Sequence, residues 1–214
     1  MDTSLQDNVS KVATEALHPY FPIDAQISGY AANELSVPAL LGVFFGACTI
    51  LFTATYFVSK SVNPKLKNGE LLTIMWFVLS GAIHIFFEGY YTMNFATLGS
   101  KQTWIGQMWK EYAFSDSRYL TNDSFVLCME TITAVLWGPG CMVIAAMIML
   151  RHPMRFPLQC IVSVGQIYGD ALYYATCYFT HYTTGVSYSR PEAYYFWFYF
   201  VFMNFIWIVI PGGR

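Results

Sequence analysis

The chain has 214 residues, of which 56% are hydrophobic and 19% are aromatic, while only 11% are charged. Soluble domains carry about 25% charged residues, so this composition predicts an integral membrane protein whose surroundings are the lipid bilayer. The formal net charge of -2 excludes the basic surface that nucleic-acid binding requires, and we therefore expect no nucleic-acid partner.

The chain contains five apolar runs, at about 37–58, 71–95, 125–150, 156–179 and 193–210. Each is long enough to cross a bilayer, whose hydrocarbon core needs about 20 helical residues. Because lipid cannot satisfy exposed backbone polar groups, each run is predicted to be an α-helix. We therefore predict an all-α, polytopic membrane protein: five transmembrane helices in residues 37–211, enclosing an intramembrane cavity, after a lumenal N-terminal segment at 1–36.

Loop charge predicts the orientation of these helices. The connections after the first and third runs are basic, with Lys60, Lys65 and Lys67 in one and Arg151 and Arg155 in the other. Positively charged loops are retained in the cytoplasm, so both connections are predicted to be cytoplasmic. The N-terminus and the long 96–124 loop then face the lumen, and the C-terminus is cytoplasmic.

The 96–124 loop carries a helical pattern of its own. Its apolar residues recur at i, i+1, i+4, i+5 and i+8, namely Trp104, Ile105, Met108, Trp109 and Tyr112. This pattern predicts a short amphipathic helix. Two roles are open for it: an aromatic anchor at the membrane interface, or a lid that contributes Tyr112 to a cavity.

Ionisable side chains interrupt the second and third runs, with His84 and Glu88 in the second and Glu130 in the third. Each costs roughly 2.5–3.5 kcal/mol at the centre of a bilayer on insertion scales, so such residues favour a functional hypothesis. Counted at 1.5 Å per residue, Glu88 and Glu130 are predicted to occupy comparable depths in neighbouring antiparallel helices. His84 and Thr133 are predicted to lie one turn deeper.

The fourth and fifth runs add Gln166, Asp170, Asn204 and Trp207 near mid-membrane. Taken alone, Gln166 and Asp170 are more typical of hydrogen bonding between helices than of chemistry. The convergence of polar groups from three spans on one layer instead favours proton transfer, because acid catalysis on a weakly basic substrate needs a buried acid. Aromatic side chains such as Trp197 and Trp207 would stabilise a cationic intermediate through their π faces.

A metal site is the competing interpretation, because His84 and Glu88 share a helix face and Glu130 is available as a third ligand. The chain has no HExxH motif, and the one further candidate histidine, His181, lies near a helix end, so we predict no metal. No nucleotide-binding fingerprint is visible, and we predict no cofactor. The five cysteines form no CxxC pair and are predicted to be reduced packing residues.

Several strings resemble those of the emopamil-binding protein family, the 3β-hydroxysteroid Δ8–Δ7 isomerases of sterol synthesis. They are HIFFEGYY from His84, WKEY from Trp109, DSRY from Asp116, METITA from Met129, SVGQIYGD from Ser163 and YFWFYFVFMNFIW from Tyr195. The resemblance covers residues 17–211 in order, beginning with Leu17-His18-Pro19-Tyr20. Ser115 departs from the family, which usually has glycine there, and the first span matches weakly.

The resemblance implies an endoplasmic-reticulum enzyme that shifts a ring double bond of a sterol without a cofactor. Protonation of the C8=C9 alkene at C9 gives a tertiary cation at C8, which then loses a proton from C7. The proton-donating pair corresponds to His84 and Glu88, and the acceptor or cation-stabilising group to Glu130. The remaining catalytic residues would be Thr133, Asn204 and Trp207, and the substrate-binding residues Tyr112, Met129 and Trp197.

Two other functions remain open for the same fold. One is a receptor that binds sterols or cationic amphiphilic amines without catalysis, and the other is an isomerase or cyclase of a specialised terpenoid. For the isomerase, cationic amphiphilic amines are expected to act as inhibitors that mimic the carbocation. The resemblance also implies a homodimer.

Overall fold

The computed structural model describes residues 18–213, and every regular element among them is helical. The longer helices are α1 (Val37–Val62), α2 (Asn68–Ser100), α3 (Trp104–Tyr112), α4 (Ser124–Met149), α5 (Arg155–Thr184) and α6 (Tyr195–Gly212). The prediction of an all-α protein is thus confirmed for this part of the chain. Residues 1–17, the first half of the predicted N-terminal segment, and Arg214 lie outside the described residues.

A helix occupies each of the five predicted apolar runs. Of these, α1, α2, α4 and α6 are long and apolar enough to cross a membrane. The 30-residue α5 is longer than most of them, but Gln166, Asp170 and its tyrosines make it less apolar. A membrane protein is therefore confirmed, whereas a count of five spans stays a prediction.

Three of the membrane helices contain π-helical turns, which the sequence did not predict, and the turn in α6 covers Tyr195–Phe202. The other two cover Ile83–Glu88 in α2 and Thr133–Trp137 in α4, and these two are in contact. Such turns are rare and occur often at functional sites. Here they place His84, Glu88 and Thr133 at the contact between the two helices.

Apolar side chains pack into two separate clusters, one toward each end of the bundle. The first cluster contains Tyr20, Ile27, Tyr91, Leu98, Trp109, Ala113, Tyr119, Leu120, Val126, Tyr173 and Phe200. The second cluster contains Leu66, Ile74, Phe77, Cys141, Ile144, Ala145, Ile148 and Val162. Along α2, α4 and α5 alike, the buried polar residues lie between the positions that enter the two clusters. In these three helices the buried polar side chains therefore form one layer between apolar ones.

Residues 18–36 and α3 together cover one end of the bundle, which we call the capped end. The buried Lys110 of α3 donates to the backbone carbonyl of Ala31 at 2.6 Å, and the hydroxyl of Tyr20 donates to the carbonyl of Lys110 at 2.9 Å. The side-chain oxygen of Gln107 accepts two further backbone N–H groups from this segment, each at 2.8 Å. The predicted amphipathic helix is confirmed, and it packs into a cap.

Helix α1 stands at the side of the bundle with most of its residues exposed. Only Leu40, Thr55 and Ser59 of α1 are buried. The outward faces of the other membrane helices are also apolar, with Leu72, Val135 and Phe205 each at least half exposed. In a membrane protein such surfaces contact lipid, so the polar layer is enclosed mainly by α2, α4, α5 and α6.

We expect Gly165→Ala to destabilise the contact between α4 and α5. A Cβ atom at Gly165 would lie 2.7 Å from Cε2 of the Trp137 ring, closer than packed atoms approach. Overpacking of this kind costs about 1–3 kcal/mol, so the midpoint of thermal unfolding in detergent should fall. Gly46→Ala is the matched control, because a Cβ atom there would have no neighbour within 4 Å. Equal unfolding midpoints for the two variants would contradict the close contact.

Candidate active site

The polar layer contains His84 and Glu88, which lie one helical turn apart in α2. Both are buried, with 3% and 8% of their surface exposed, and His84 Nδ1 lies 2.7 Å from Glu88 Oε2. The side-chain nitrogen of Gln166, from α5, donates to His84 Nε2 at 3.0 Å. An imidazole that accepts at Nε2 carries its proton on Nδ1, and it therefore donates to the carboxyl of Glu88.

Glu130 faces this pair from α4 and is 4% exposed. The hydroxyl of Tyr119 donates to Glu130 Oε1 at 2.6 Å. The hydroxyl of Thr133 is in hydrogen-bond contact with Glu88 Oε2, and it also lies 2.8 Å from the Glu130 carbonyl and 3.5 Å from Glu130 Oε2. One threonine therefore bridges the two carboxyl groups.

Helix α6 supplies the fourth wall through Asn204 and Trp207. The indole ring of Trp207 lies against the imidazole of His84, with ring centroids 4.9 Å apart. Asn204 Nδ2 donates to the hydroxyl of Tyr112 at 2.8 Å and to the carbonyl of Phe200 at 2.7 Å. Asn204 thus connects the site to the cap and has no direct hydrogen bond to either glutamate among the described residues.

These side chains line one cavity between the helices. Its lining consists of His84, Glu88, Tyr119, Met129, Glu130, Thr133, Gln166, Gly169, Asp170, Tyr173, Asn204 and Trp207. All six predicted catalytic residues and Met129 are therefore brought together. Tyr112 lies one contact behind the lining, whereas Trp197 is 63% exposed on the outer surface and does not reach the cavity.

Five cavity residues had no predicted catalytic or substrate-binding role, namely Tyr119, Gln166, Gly169, Asp170 and Tyr173. Tyr119 lies in the DSRY string, which resembles the family but occupies a loop. Gln166 and Asp170 were interpreted as helix–helix contacts, although their spacing with Tyr173 repeats on one helical face and indicates a shared wall. Within residues 18–213, no three His, Cys, Asp or Glu side chains are arranged to hold a metal ion.

A buried ion pair holds Tyr119 in place. Asp116 and Arg118 are almost fully buried in the turn that ends with Tyr119, and Arg118 Nη2 donates to Asp116 Oδ2 at 2.6 Å. Arg118 Nη1 also donates to the Thr176 hydroxyl at 2.9 Å, and its guanidinium lies 4.9 Å from the centre of the Tyr173 ring. The turn is therefore fastened to α5 through the same arginine that neutralises Asp116.

Burial also keeps Tyr119, the last residue of this turn, protonated. Removal from water raises the pKa of the Tyr119 phenol well above its ordinary value, and the neighbouring Glu130 carboxyl acts in the same direction. Tyr119 consequently keeps its proton at neutral pH and remains a hydrogen-bond donor to Glu130.

Comparison with known proteins gives two findings. Residues 104–213 match the model of the EXPERA family, described as the EXPanded EBP superfamily. Over most of its length the chain is also similar to curated 3-beta-hydroxysteroid-Delta(8),Delta(7)-isomerases. It is 38% identical to that of Cavia porcellus, over 95% of this chain and 88% of the relative, and 40% identical to that of Rattus norvegicus, over 92% and 84%.

A more distant relative carries a different name. The chain is 32% identical to an isomeliandiol synthase of Ailanthus altissima, over 90% of this chain and 86% of the relative. This match is weaker than those to the steroid isomerases over a similar share of the chain.

We expect Arg118→Met to destabilise the protein severely, because it leaves the Asp116 carboxylate buried without its partner. Removal of one member of a buried pair costs about 3–5 kcal/mol. Thermal unfolding in detergent measures the loss, and the double variant Asp116→Leu/Arg118→Met should recover part of it. Arg155→Met is the control, since its partner Glu70 is partly exposed and such pairs contribute about 1 kcal/mol or less. Equal losses in the two single variants would contradict this account.

Proposed function

The chain belongs to the EXPERA (expanded EBP) superfamily, and we propose that it is a sterol isomerase that converts Δ8 to Δ7 sterols. One observation carries the proposal. The His84–Glu88 pair and Glu130 lie on facing helices, are joined by Thr133 and line one cavity between two apolar clusters. The relatives that match most of the chain at 38–40% identity are named as isomerases of this kind.

The first step is protonation of the sterol alkene at C9 by the pair on α2. Glu88 is the acid, and His84 positions it, because the Nδ1–H group of the imidazole donates to Oε2 while Gln166 occupies Nε2. General acid catalysis of this type contributes a factor of about 10²–10⁴ in rate. The step transfers one proton to C9 and leaves a tertiary carbocation at C8.

The second step is loss of a proton from C7 to Glu130. This carboxyl group is on α4, across the contact from Glu88, so acid and base reach the substrate from different helices. Until the proton is lost, the negative charge of the carboxylates and the π face of Trp207 stabilise the cation. The double bond then lies between C7 and C8, with no net change in redox state and no need for a cofactor.

A receptor without catalysis is the less favoured alternative. Binding of a protonated amine requires an acidic group, but it does not require a second acid with its own histidine. The isomeliandiol synthase relative favours a second candidate, an isomerase or cyclase of a specialised terpenoid that uses the same acids. The higher identity to the steroid isomerases favours the sterol substrate.

The cellular setting follows from the same assignment. We place the protein in the endoplasmic-reticulum membrane, with the Lys60–Lys67 and Arg151–Arg155 connections in the cytoplasm because they are the basic loops. The capped end then faces the lumen, and the C-terminus faces the cytoplasm. A homodimer and inhibition by cationic amphiphilic amines belong to the same proposal.

We expect Glu88→Gln and Glu130→Gln each to lower isomerisation at least about 100-fold, because each removes an acid or base. The assay uses membranes in deuterated water, a Δ8 sterol and enzyme in excess, and mass spectrometry of the product should show one deuterium at C9. Glu192→Gln is the control, since Glu192 is exposed outside the cavity.

Two outcomes would contradict the proposal. Absence of Δ8 sterol conversion by the unmodified protein, together with amine binding that is lost in both glutamine variants, would support the receptor. Conversion without deuterium at C9 in the first turnover, by enzyme already equilibrated in deuterated water, would exclude protonation at that carbon.

We expect a protonated amphiphilic amine to bind in the cavity in place of the carbocation. Trp207→Ala should weaken its binding about 2- to 30-fold, the range that corresponds to a cation–π contribution of about 0.5–2 kcal/mol. Competition with a radiolabelled amine measures the effect. Trp197→Ala is the matched control, because this tryptophan lies on the same helix but outside the cavity. Equal affinities in the two variants would place the amine elsewhere.

A further inference from the structure

Six polar side chains of the cavity form one line of hydrogen-bond contacts. It runs in the order Gln166, His84, Glu88, Thr133, Glu130, Tyr119. The contacts on either side of the two glutamates are 2.7 Å, from His84 to Glu88, and 2.6 Å, from Tyr119 to Glu130. Between the glutamates lies a single hydroxyl, that of Thr133. The line therefore joins the proposed acid and the proposed base through one hydroxyl group.

Double-bond migration creates a need for such a connection. The substrate gains a proton at C9 and loses one from C7, so its own proton count does not change. The enzyme does change: after each turnover Glu88 has lost a proton and Glu130 has gained one. Before the next substrate can react, a proton must move from Glu130 back to Glu88 or be exchanged with water.

We propose that Thr133 returns this proton inside the cavity. The O–H bond of Glu130 breaks as a bond to Thr133 Oγ1 forms, and the Thr133 O–H bond breaks as one to Glu88 Oε2 forms. A hydroxyl is one donor and two acceptors, so Thr133 is neutral before and after the transfer. No oxidant, reductant or further reactant takes part. The proposal rests on the proposed function, since it concerns the reset of the same acid and base.

The geometry supports transfer in this direction. The Thr133 hydroxyl already contacts Glu88 Oε2, and Glu130 Oε2 lies at 3.5 Å, so only the second distance has to shorten. Two carboxyl groups bridged by one hydroxyl are least costly when they share one proton. This shared proton passes between Glu130 and Glu88 through a single oxygen atom, Oγ1 of Thr133.

Both ends of the line are closed to proton loss. At one end the Gln166 amide donates to His84, and at the other the Tyr119 phenol donates to Glu130. An amide and a protonated phenol are poor proton acceptors, so neither draws the proton outward. Asp170 also lines the cavity, but its Oδ2 has no hydrogen-bond partner among the described residues and is not part of the line. Tyr119 and Gln166 are therefore positioning residues for the two acids.

The test follows hydrogen from one substrate molecule to the next. Two Δ8 sterols are incubated together in ordinary water: one carries deuterium at C7, and the other is unlabelled at C7 but heavier in its side chain. If Glu130 returns its proton through Thr133, deuterium taken from the first sterol appears at C9 of the second. Thr133→Val should lower this crossover about 10-fold or more, and Thr133→Ser should retain it.

Pre-steady-state kinetics separates a relay from a structural role. In Thr133→Val the first turnover should survive as a burst of one product per site, followed by a steady state slowed about 10-fold or more, because only the reset is lost. Thr131→Val is the matched control, since Thr131 is exposed on the same helix and donates to the Leu127 carbonyl. It should leave both crossover and steady state unchanged.

The outcomes separate the two proposals. Isomerisation without crossover in the unmodified protein overturns the relay and leaves the isomerase intact. Equal crossover in Thr133→Val, or an equal loss of its first and later turnovers, also overturns the relay. If the unmodified protein converts no Δ8 sterol, both proposals fall.

Discussion

Burial of acids in an apolar bundle is the constraint on which the rest of this structure depends. A carboxyl group removed from water loses several kcal/mol of solvation unless other polar groups replace it. Here Glu88 is hydrogen-bonded to a histidine and a threonine, and Glu130 to a tyrosine and the same threonine. These partners come from α2, α4 and the turn before α4. The acids are therefore accommodated only when those elements are packed together.

The two apolar clusters fix the positions of these helices relative to one another. They lie on either side of the polar layer along α2, α4 and α5, so the layer cannot slide without opening one of them. Trp137 lies against Gly165 on one side, and the Asp116–Arg118 pair fastens the turn that carries Tyr119 on the other. A site held in this way presents its donors and acceptors in one arrangement before substrate arrives, which is what electrostatic stabilisation of a carbocation requires.

The sequence was most informative where the evidence was local. Apolar length located the helices, and the cost of an ionisable residue in lipid singled out His84, Glu88 and Glu130. Spacing along the helices placed the glutamates opposite one another. It was less informative about partners: Thr133, expected level with His84, contacts Glu88 instead. The π turns at Ile83–Glu88 and Thr133–Trp137 explain part of this difference, because counting at α-helical rise ignores the extra residue per turn.

The sequence by itself determined an all-helical membrane protein, the acids it buries and their approximate depth, because composition and helical period are properties of single segments. Only the tertiary structure decided which side chains complete the site. Tyr119 enters from a loop, Gln166 reaches His84 from α5, and Trp197 turns outward although Trp207 on the same helix faces the cavity. Such choices depend on how helices rotate and on contacts between residues tens of positions apart, and no local pattern encodes them.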